Sequence, residues 1–367
     1  MNVLVTGSNG FLGKNLVVHL KELGIHTKTF TRQNSLSDLK VLIKNSDFIV
    51  HLAGENRPAD EKDFNAVNFG ITESICAIVK SLDKKIPIIF TSSVQVLIDN
   101  AYGQSKLKAE EALKKLNSET ASPIYIYRLP GVFGKWCRPN YNSVVATFCH
   151  NISKDLPVKV NDPSAFITLV YIDDVINEFI SLIKGDIPKN EALSVNPQYK
   201  VNLGQLADQI KSFKESRNSL QIDKVGKGFI RKLYSTYLSY LSPSDFEYSI
   251  SSQIDDRGIF AEVLKTKDSG QFSFFTAEAG ITRGGHYHHT KTEKFLVIKG
   301  KAKFIFRNID THETHEIIAT SKKLKIIETI PGWAHDITNI GKSKLIVMLW
   351  ANEIFDRNKP DTITYRM

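Results

Sequence analysis

Cysteine is scarce in this sequence. Three occur in 367 residues: Cys76, Cys137 and Cys149. An odd, sparse set without framework spacing excludes a disulfide-stapled secreted scaffold and suits a reducing cytoplasm. Long apolar runs are missing too, so no membrane insertion is expected. The chain opens MNVLVTG and goes straight into a strand, without the charged and apolar segments of a secretory leader. Nor is there a concentrated basic stripe. Lysine and arginine outnumber aspartate and glutamate 48 to 39, a formal charge of +9, yet they are spread along the whole chain. That dispersal argues against a nucleic-acid partner. Attraction of an anionic small molecule, such as a nucleotide or sugar nucleotide, explains the charge at least as well. A membrane-surface role has the same weak support as a nucleic-acid partner, and general solubility is the remaining explanation. With 42% hydrophobic and 24% charged residues, the composition is that of a globular protein long enough for two domains.

What is present begins with alternating strands and helices. NVLVT reads as a buried strand and runs into GSNGFLGKNLVVHLKELG. Gly7, Gly10 and Gly13 make a G-x-x-G-x-x-G turn that opens an amphipathic helix, with Phe11 and Leu12 in its first turn. Glycines let backbone approach a pyrophosphate, and the helix N-terminus favours its charge. The second strand, near His26 to Thr31, is followed by Arg32, and no acidic residue occurs from Ile25 to Leu36. An acidic side chain here would take a free ribose 2′-hydroxyl; Arg32 instead offers a cation for a 2′-phosphate, which favours NADP over NAD. SDFIVHLAG is the next buried strand, and its end, Leu52, Ala53 and Gly54, leaves room for adenosine or ribose.

IPIIFTSS ends in hydroxyls at Ser93, and a helix begins with Tyr102-Gly-Gln-Ser-Lys106. Tyr102 and Lys106 lie one turn apart and share a face. Lys106 can lower the phenol pKa and touch the cofactor ribose. Tyr102 can then protonate a carbonyl as hydride arrives, with Ser93 polarising the same group. Y-x-x-x-K alone is weak in a chain with 12 tyrosines and 48 lysines and arginines. Its value comes from following the strand that ends in Ser93. The basic, aromatic segment KWCRPNYN offers Lys135, Arg138 and Asn142 to phosphates and a base, or is a surface loop.

GFIRKLYSTYLSYLSPSDF, 228–246, reads as a short amphipathic helix and a linker. From Tyr248 the pattern changes to short alternating strands, which predicts a β-sandwich or jelly roll. Within it, GITRGGHYHHTKTEKFLVIKG carries His286, His288 and Glu293, and PGWAHDITN supplies His335. On a strand, i and i+2 share a face, so the two histidines point the same way and Glu293 can return to them from the next strand. Imidazoles and a carboxylate hold a divalent ion with an open position; zinc leads, while iron, manganese and nickel stay open. Calcium and magnesium prefer oxygen ligands. His312 and His315 fall in a polar hairpin and are expected to be solvated.

The motifs TGSNGFLG, FIVHLAG, YGQSK, RLPGVFG and VYIDDV resemble the extended short-chain dehydrogenase/reductase superfamily over about residues 1–220. That resemblance implies a Rossmann-type, doubly wound parallel sheet, a nicotinamide cofactor and the catalytic set Ser93, Tyr102 and Lys106. Gly280 to Gly300 resembles the first cupin motif, and Pro331, Gly332, His335 and Asn339 partly match the second. DDRGIFAE resembles the opening of deoxysugar epimerase cupins, which makes Arg257 a candidate to face a nucleotide sugar. In this order the two halves resemble the bifunctional CapF-type enzymes of capsular polysaccharide synthesis. The expected domains are 1–227, NADP-binding; 228–247, linker; and 248–367, metal-binding cupin. The resemblance implies a homodimer acting on a UDP-linked 2-acetamido-2,6-dideoxy-4-keto-hexose, by C3 epimerisation and then NADPH reduction at C4. Its route leads to UDP-N-acetyl-L-fucosamine. Tyr287, His289, Lys294 and Glu262 stand as undiscriminated candidates for moving the C3 proton. The competing readings are a reductase with a structural or dimerising cupin, and a redox or sugar-nucleotide sensor.

Overall fold

A computed structural model describes the chain except residues 57–59, 61–63, 83, 188–192, 251–252, 256–257, 261–263, 267–269 and 354–357. The side chains of 65, 66, 253–255, 258–260, 265, 266, 271 and 273 are also outside the description. Two compact units emerge.

In the first unit, β1 (Asn2–Thr6), β2 (His26–Phe30), β3 (Phe48–His51), β4 (Ile88–Ser93) and β5 (Ile124–Leu129) form a parallel sheet ordered β2-β1-β3-β4-β5. The central strands are continuous apolar runs, as a sheet covered by helices requires. Leu4, Ile49, Ile88 and Phe90 are buried against Leu39, Ile43, Ile75, Val79, Leu113 and Leu116. Those partners come from helices Leu36–Lys44, Gly70–Lys80 and Ala101–Thr120. Helix Phe11–Glu22 packs with helix Ile172–Ile183. β2 and β3 flank β1 on opposite sides, so the winding reverses there. A ligand crevice belongs outside the carboxyl ends of β1 and β3. Three further strands, β6 (Gly131–Phe133), β7 (Phe166–Tyr171) and β8 (Gln198–Asn202), make a separate small sheet.

The second unit holds helices Val144–Ser153, Leu203–Ser219 and Gly228–Leu238, packed on one another, and the β-rich C-terminal part. Two-residue β9 (Gln221–Ile222) leads to β10 (Glu247–Ser249) and the hairpin of β11 (Gln253–Asp255) with β12 (Gly258–Phe260). β13 (Lys265–Thr266) pairs back with β9. The remaining strands are β14 (Gln271–Ala277), β15 (Thr282–Tyr287), β16 (Glu293–Lys299), β17 (Lys301–Asn308), β18 (Thr314–Thr320), β19 (Lys325–Glu328), β20 (Trp333–Asn339), β21 (Leu345–Ala351) and β22 (Ile363–Thr364). They form two five-stranded sheets, β10-β19-β16-β21-β14 and β18-β17-β20-β15-β22. β17 shows the alternation an antiparallel strand needs: Ala302, Phe304 and Phe306 point inward, fully buried. Phe304 meets Phe295 of the other sheet at 5.8 Å between ring centroids, so the core lies between the sheets.

The units cut the chain differently from the expected contiguous segments 1–227, 228–247 and 248–367. Residues 134–139, 144–165 and 202–227 group with the C-terminal part. The physical reason is helix packing: Val144–Ser153 and Leu203–Ser219 pack with Gly228–Leu238, the helix read as a linker.

Candidate functional site

The glycine turn is shaped by close backbone approach. Gly7 has φ +67°, and a Cβ there would stand 2.7 Å from the Ala53 amide nitrogen. On Gly13 a Cβ would lie 2.3 Å from the Gly7 carbonyl oxygen. Gly10 is the N-cap of Phe11–Glu22 and has no capping side chain, so the first amides of the helix open toward the crevice. Thr6 Oγ1 accepts from the amides of Leu52 and Ala53, both at 3.2 Å, and meets His51 Nδ1 at 2.7 Å. The predicted residues Gly7, Gly10, Phe11, Leu12, Gly13, Leu52, Ala53 and Gly54 therefore surround the carboxyl ends of β1 and β3. This cradle fits a dinucleotide pyrophosphate.

Lys106 reaches the same place. Its Nζ donates to the Thr91 carbonyl at 3.0 Å, and a Cβ on Gly54 would stand 3.1 Å from it. Burial pushes the Lys106 pKa down to about 8 against the opposing charge of Glu110. Burial raises the Tyr102 phenol, and a hydrogen bond with Ser93 works against that rise. The short interval from Ser93 to Tyr102 is spanned by a 3-10 turn, Val94–Leu97, whose Gln95 amide donates to Ser93 Oγ at 3.2 Å. Gly103 allows the next helix to seat on that turn, since a Cβ would come within 2.3 Å of the Gln95 carbonyl oxygen.

Two residues here went unassigned in the sequence. Asn68 is fully buried; its amide donates to the Glu55 carbonyl and to Ser105 Oγ, and its oxygen accepts from the Glu55 amide at 2.8 Å. Glu55 pairs with the exposed Arg32 and also accepts from the Tyr141 hydroxyl. Arg32 thus meets a carboxylate 23 residues further along the chain.

The second constellation is in the other unit. His286 and His335 are cross-strand partners on β15 and β20, Glu293 opens β16 in the facing sheet, and His288 lies just past β15. One ligand atom from each falls within 4.8 Å of all the others. Glu293 Oε2 is 3.2 Å from His288 Nε2 and 3.6 Å from His335 Nε2. Gly284 and Gly285 have positive φ, and the register shifts between Gly284 and His286. A Cβ on Gly284 would stand 2.5 Å from the His335 carbonyl oxygen, so only glycine admits this bulge. Burial lowers the pKa of His286 and of His335, which keeps them neutral and able to donate lone pairs. Burial would raise Glu293, but the electropositive surroundings made by His288, His335 and the Lys291 ammonium hold it well below the carboxylate range. His335 Nδ1 is buried without a partner. Three imidazoles and one carboxylate in this state fit a divalent transition ion.

The other expectations divide. Lys294 turns away from the donors, because it neighbours Glu293 on a strand; its ammonium meets Glu328 and the Tyr248 hydroxyl. Tyr287 alternates away as well and packs on Tyr365 at 6.0 Å. Lys291, unassigned in the sequence, does reach the group: its Nζ is 3.0 Å from Glu293 Oε1. Arg257 and Glu262 lie outside the described residues. Lys135 is buried over Trp136, while Arg138 and Asn142 are exposed. His312 is exposed as expected, but His315 is half-buried and packs edge-on to Phe246, because its strand neighbours hold it against the sheet.

The NAD dependent epimerase/dehydratase family model matches residues 3–195, and the polysaccharide biosynthesis C-terminal domain matches 253–363. A UDP-2-acetamido-2,6-beta-L-arabino-hexul-4-ose reductase of Pseudomonas aeruginosa is 54% identical over 363 residues, covering 99% of this chain and 98% of its own. The capsular polysaccharide assembling protein CapF of Staphylococcus aureus matches in structure with a TM-score of 0.70 and 41% identity, covering 100% of both chains. The chain is a CapF-type member of the NAD dependent epimerase/dehydratase family. UDP-glucuronic acid 4-epimerase of Bacillus cereus matches with a TM-score of 0.52 at 18% identity, over 58% of this CapF-type chain and 83% of its own, a likeness of fold. No helix of the described residues is long and apolar enough to cross a membrane.

Proposed function

We propose that this CapF-type chain is a cytoplasmic, homodimeric enzyme acting on a UDP-linked 2-acetamido-2,6-dideoxy-4-keto-hexose. It epimerises C3 in a metal-binding cupin jelly roll and then reduces C4 with NADPH, on the route to UDP-N-acetyl-L-fucosamine for surface polysaccharide. The observation that carries the two-site reading is the convergence of His286, His288, Glu293 and His335 in a chain that also holds Ser93, Tyr102 and Lys106 beside a dinucleotide cradle. The name of the Pseudomonas relative supports the substrate class and the reduction.

The order follows from the chemistry. A proton leaves C3 only while the adjacent C4 ketone accepts the electron pair. His286, His288, Glu293 and His335 would hold the ion, which when bound would supply Lewis acidity. Reduction removes the ketone, so it comes last and fixes the new configuration. At C4, Tyr102 donates its phenolic proton to the ketone oxygen, Ser93 hydrogen-bonds that oxygen, and Lys106 stabilises the tyrosinate left behind. NADPH, when bound, supplies the hydride. Arg32 is the cation for its 2′-phosphate, with Glu55 as the partner it must leave. Lys135, Arg138, Asn142 and Arg257 are assigned to the nucleotide sugar.

Metal analysis of purified protein tests the four-donor site. Stoichiometric zinc or another divalent transition ion is expected, and His288→Ala should lose it together with C3 exchange while NADPH still binds. A folded, epimerising wild type free of metal would refute the assignment.

A further inference from the structure

Asp361 lies on the segment leading to β22, remote in sequence from every donor, yet the metal-donor loop is built on it. Its backbone carbonyl oxygen is 2.5 Å from His288 Nδ1. A carbonyl only accepts, so Nδ1 carries a proton and Nε2, 3.2 Å from Glu293 Oε2, is the nitrogen turned toward the other donors. The carboxylate accepts from three successive amides, His289 at 2.9 Å, Thr290 at 2.6 Å and Lys291 at 2.7 Å, and from Thr290 Oγ1 at 2.8 Å. Arg231 stands 3.7 Å from the same carboxylate and bridges Thr290 and Glu353, both at 2.6 Å. Beyond Asp361 the chain zips along the donor strand: Ile363 pairs with Tyr287 and Thr364 with His286. The Tyr365 amide donates to the Gly285 carbonyl at 2.7 Å.

We infer that Asp361 is a positioning residue of the metal centre. Its carbonyl fixes the tautomer of His288, and its carboxylate holds the 289–291 turn that delivers Lys291 to Glu293. The carboxylate, half-buried and 3.7 Å from Arg231, gathers the three successive amides of this turn on one acceptor. The inference rests on the metal reading above, and its test separates the two.

The test uses the full-length chain, metal-free and then titrated with zinc against a competing chelator. Asp361→Ala should weaken zinc binding by about 10- to 100-fold, the usual cost of removing an outer-shell partner. Asp361→Asn keeps an acceptor oxygen and should lose less. Nitrogen-15 NMR of the metal-free wild type should show His288 protonated at Nδ1, whereas Asp361→Ala, which keeps the backbone carbonyl, tests the carboxylate's hold on the 289–291 turn through zinc affinity. Wild-type zinc affinity in folded Asp361→Ala would overturn the inference. So would a wild-type His288 protonated at Nε2, which decides the matter even if the alanine variant does not fold. A wild type that takes up no zinc would refute the metal reading, and the His288 tautomer would still decide the positioning role.

Discussion

Lys106 shows what a single buried cation does for the first site. It neighbours the fully buried His51, whose pKa burial and the Lys106 charge bring down to about 3, so His51 serves as a neutral link between Thr6 and Thr72. Lys106 itself is charged below its pKa of about 8 and loses the proton as pH rises through it. Catalysis that needs the ammonium should therefore fail on the alkaline side. The pH profile of kcat/KM for NADPH oxidation should fall above about pH 8, since that ratio reports the free enzyme. A profile flat to pH 10 would assign the proton chemistry elsewhere. At the cradle's rim, Arg32 and Glu55 set a second residue-scale expectation. The wild type should prefer NADPH to NADH, Arg32→Glu should lose the preference, and Glu55→Gln, which releases Arg32, should sharpen it several-fold. Steady-state kinetics with both cofactors check this; equal efficiency in the wild type contradicts it.

At the scale of elements, legibility depended on sequence distance. The glycine turn before Phe11–Glu22, the Tyr102–Lys106 helix face and the His286–His288 pair are local repeats of one period, and each can be read directly. The same period rules on two candidates. Tyr287 and Lys294 alternate with donors on their strands and so face away from them. Other contributions come from residues tens of positions apart. Glu55 reaching Arg32, Asp361 reaching the 289–291 turn and Asn68 reaching Ser105 depend on packing that no local pattern encodes. Lys294 belongs instead to a buried ion network: Glu328 contacts both its ammonium and the Arg217 guanidinium. Burial would raise Glu328, but the charges of Arg217 and Lys294 hold it down. Glu328→Gln leaves the buried Lys294 and the half-buried Arg217 without their counterion and should cost about 3–5 kcal/mol, read from urea unfolding of the full chain. A loss below about 1 kcal/mol would show the network contributes little.

Over the whole chain, the change from alternating strands and helices to short alternating strands near Tyr248 was visible because the hydrophobic period itself changes. The grouping of helices was not. Val144–Ser153 and Leu203–Ser219 join the C-terminal part through apolar faces that look like those of any amphipathic helix. The central claim is that one chain carries two chemistries at two separate sites. Proton NMR of a UDP-linked 4-keto-6-deoxy-hexosamine in deuterated water, with and without NADPH, tests it most directly. The wild type should incorporate deuterium at C3 without NADPH and accumulate the C4 alcohol only with it. Tyr102→Phe should retain the exchange and lose the reduction, while His288→Ala should lose the exchange. A folded, metal-loaded Tyr102→Phe enzyme that loses both, or a wild type that reduces C4 with no deuterium at C3, would contradict the account.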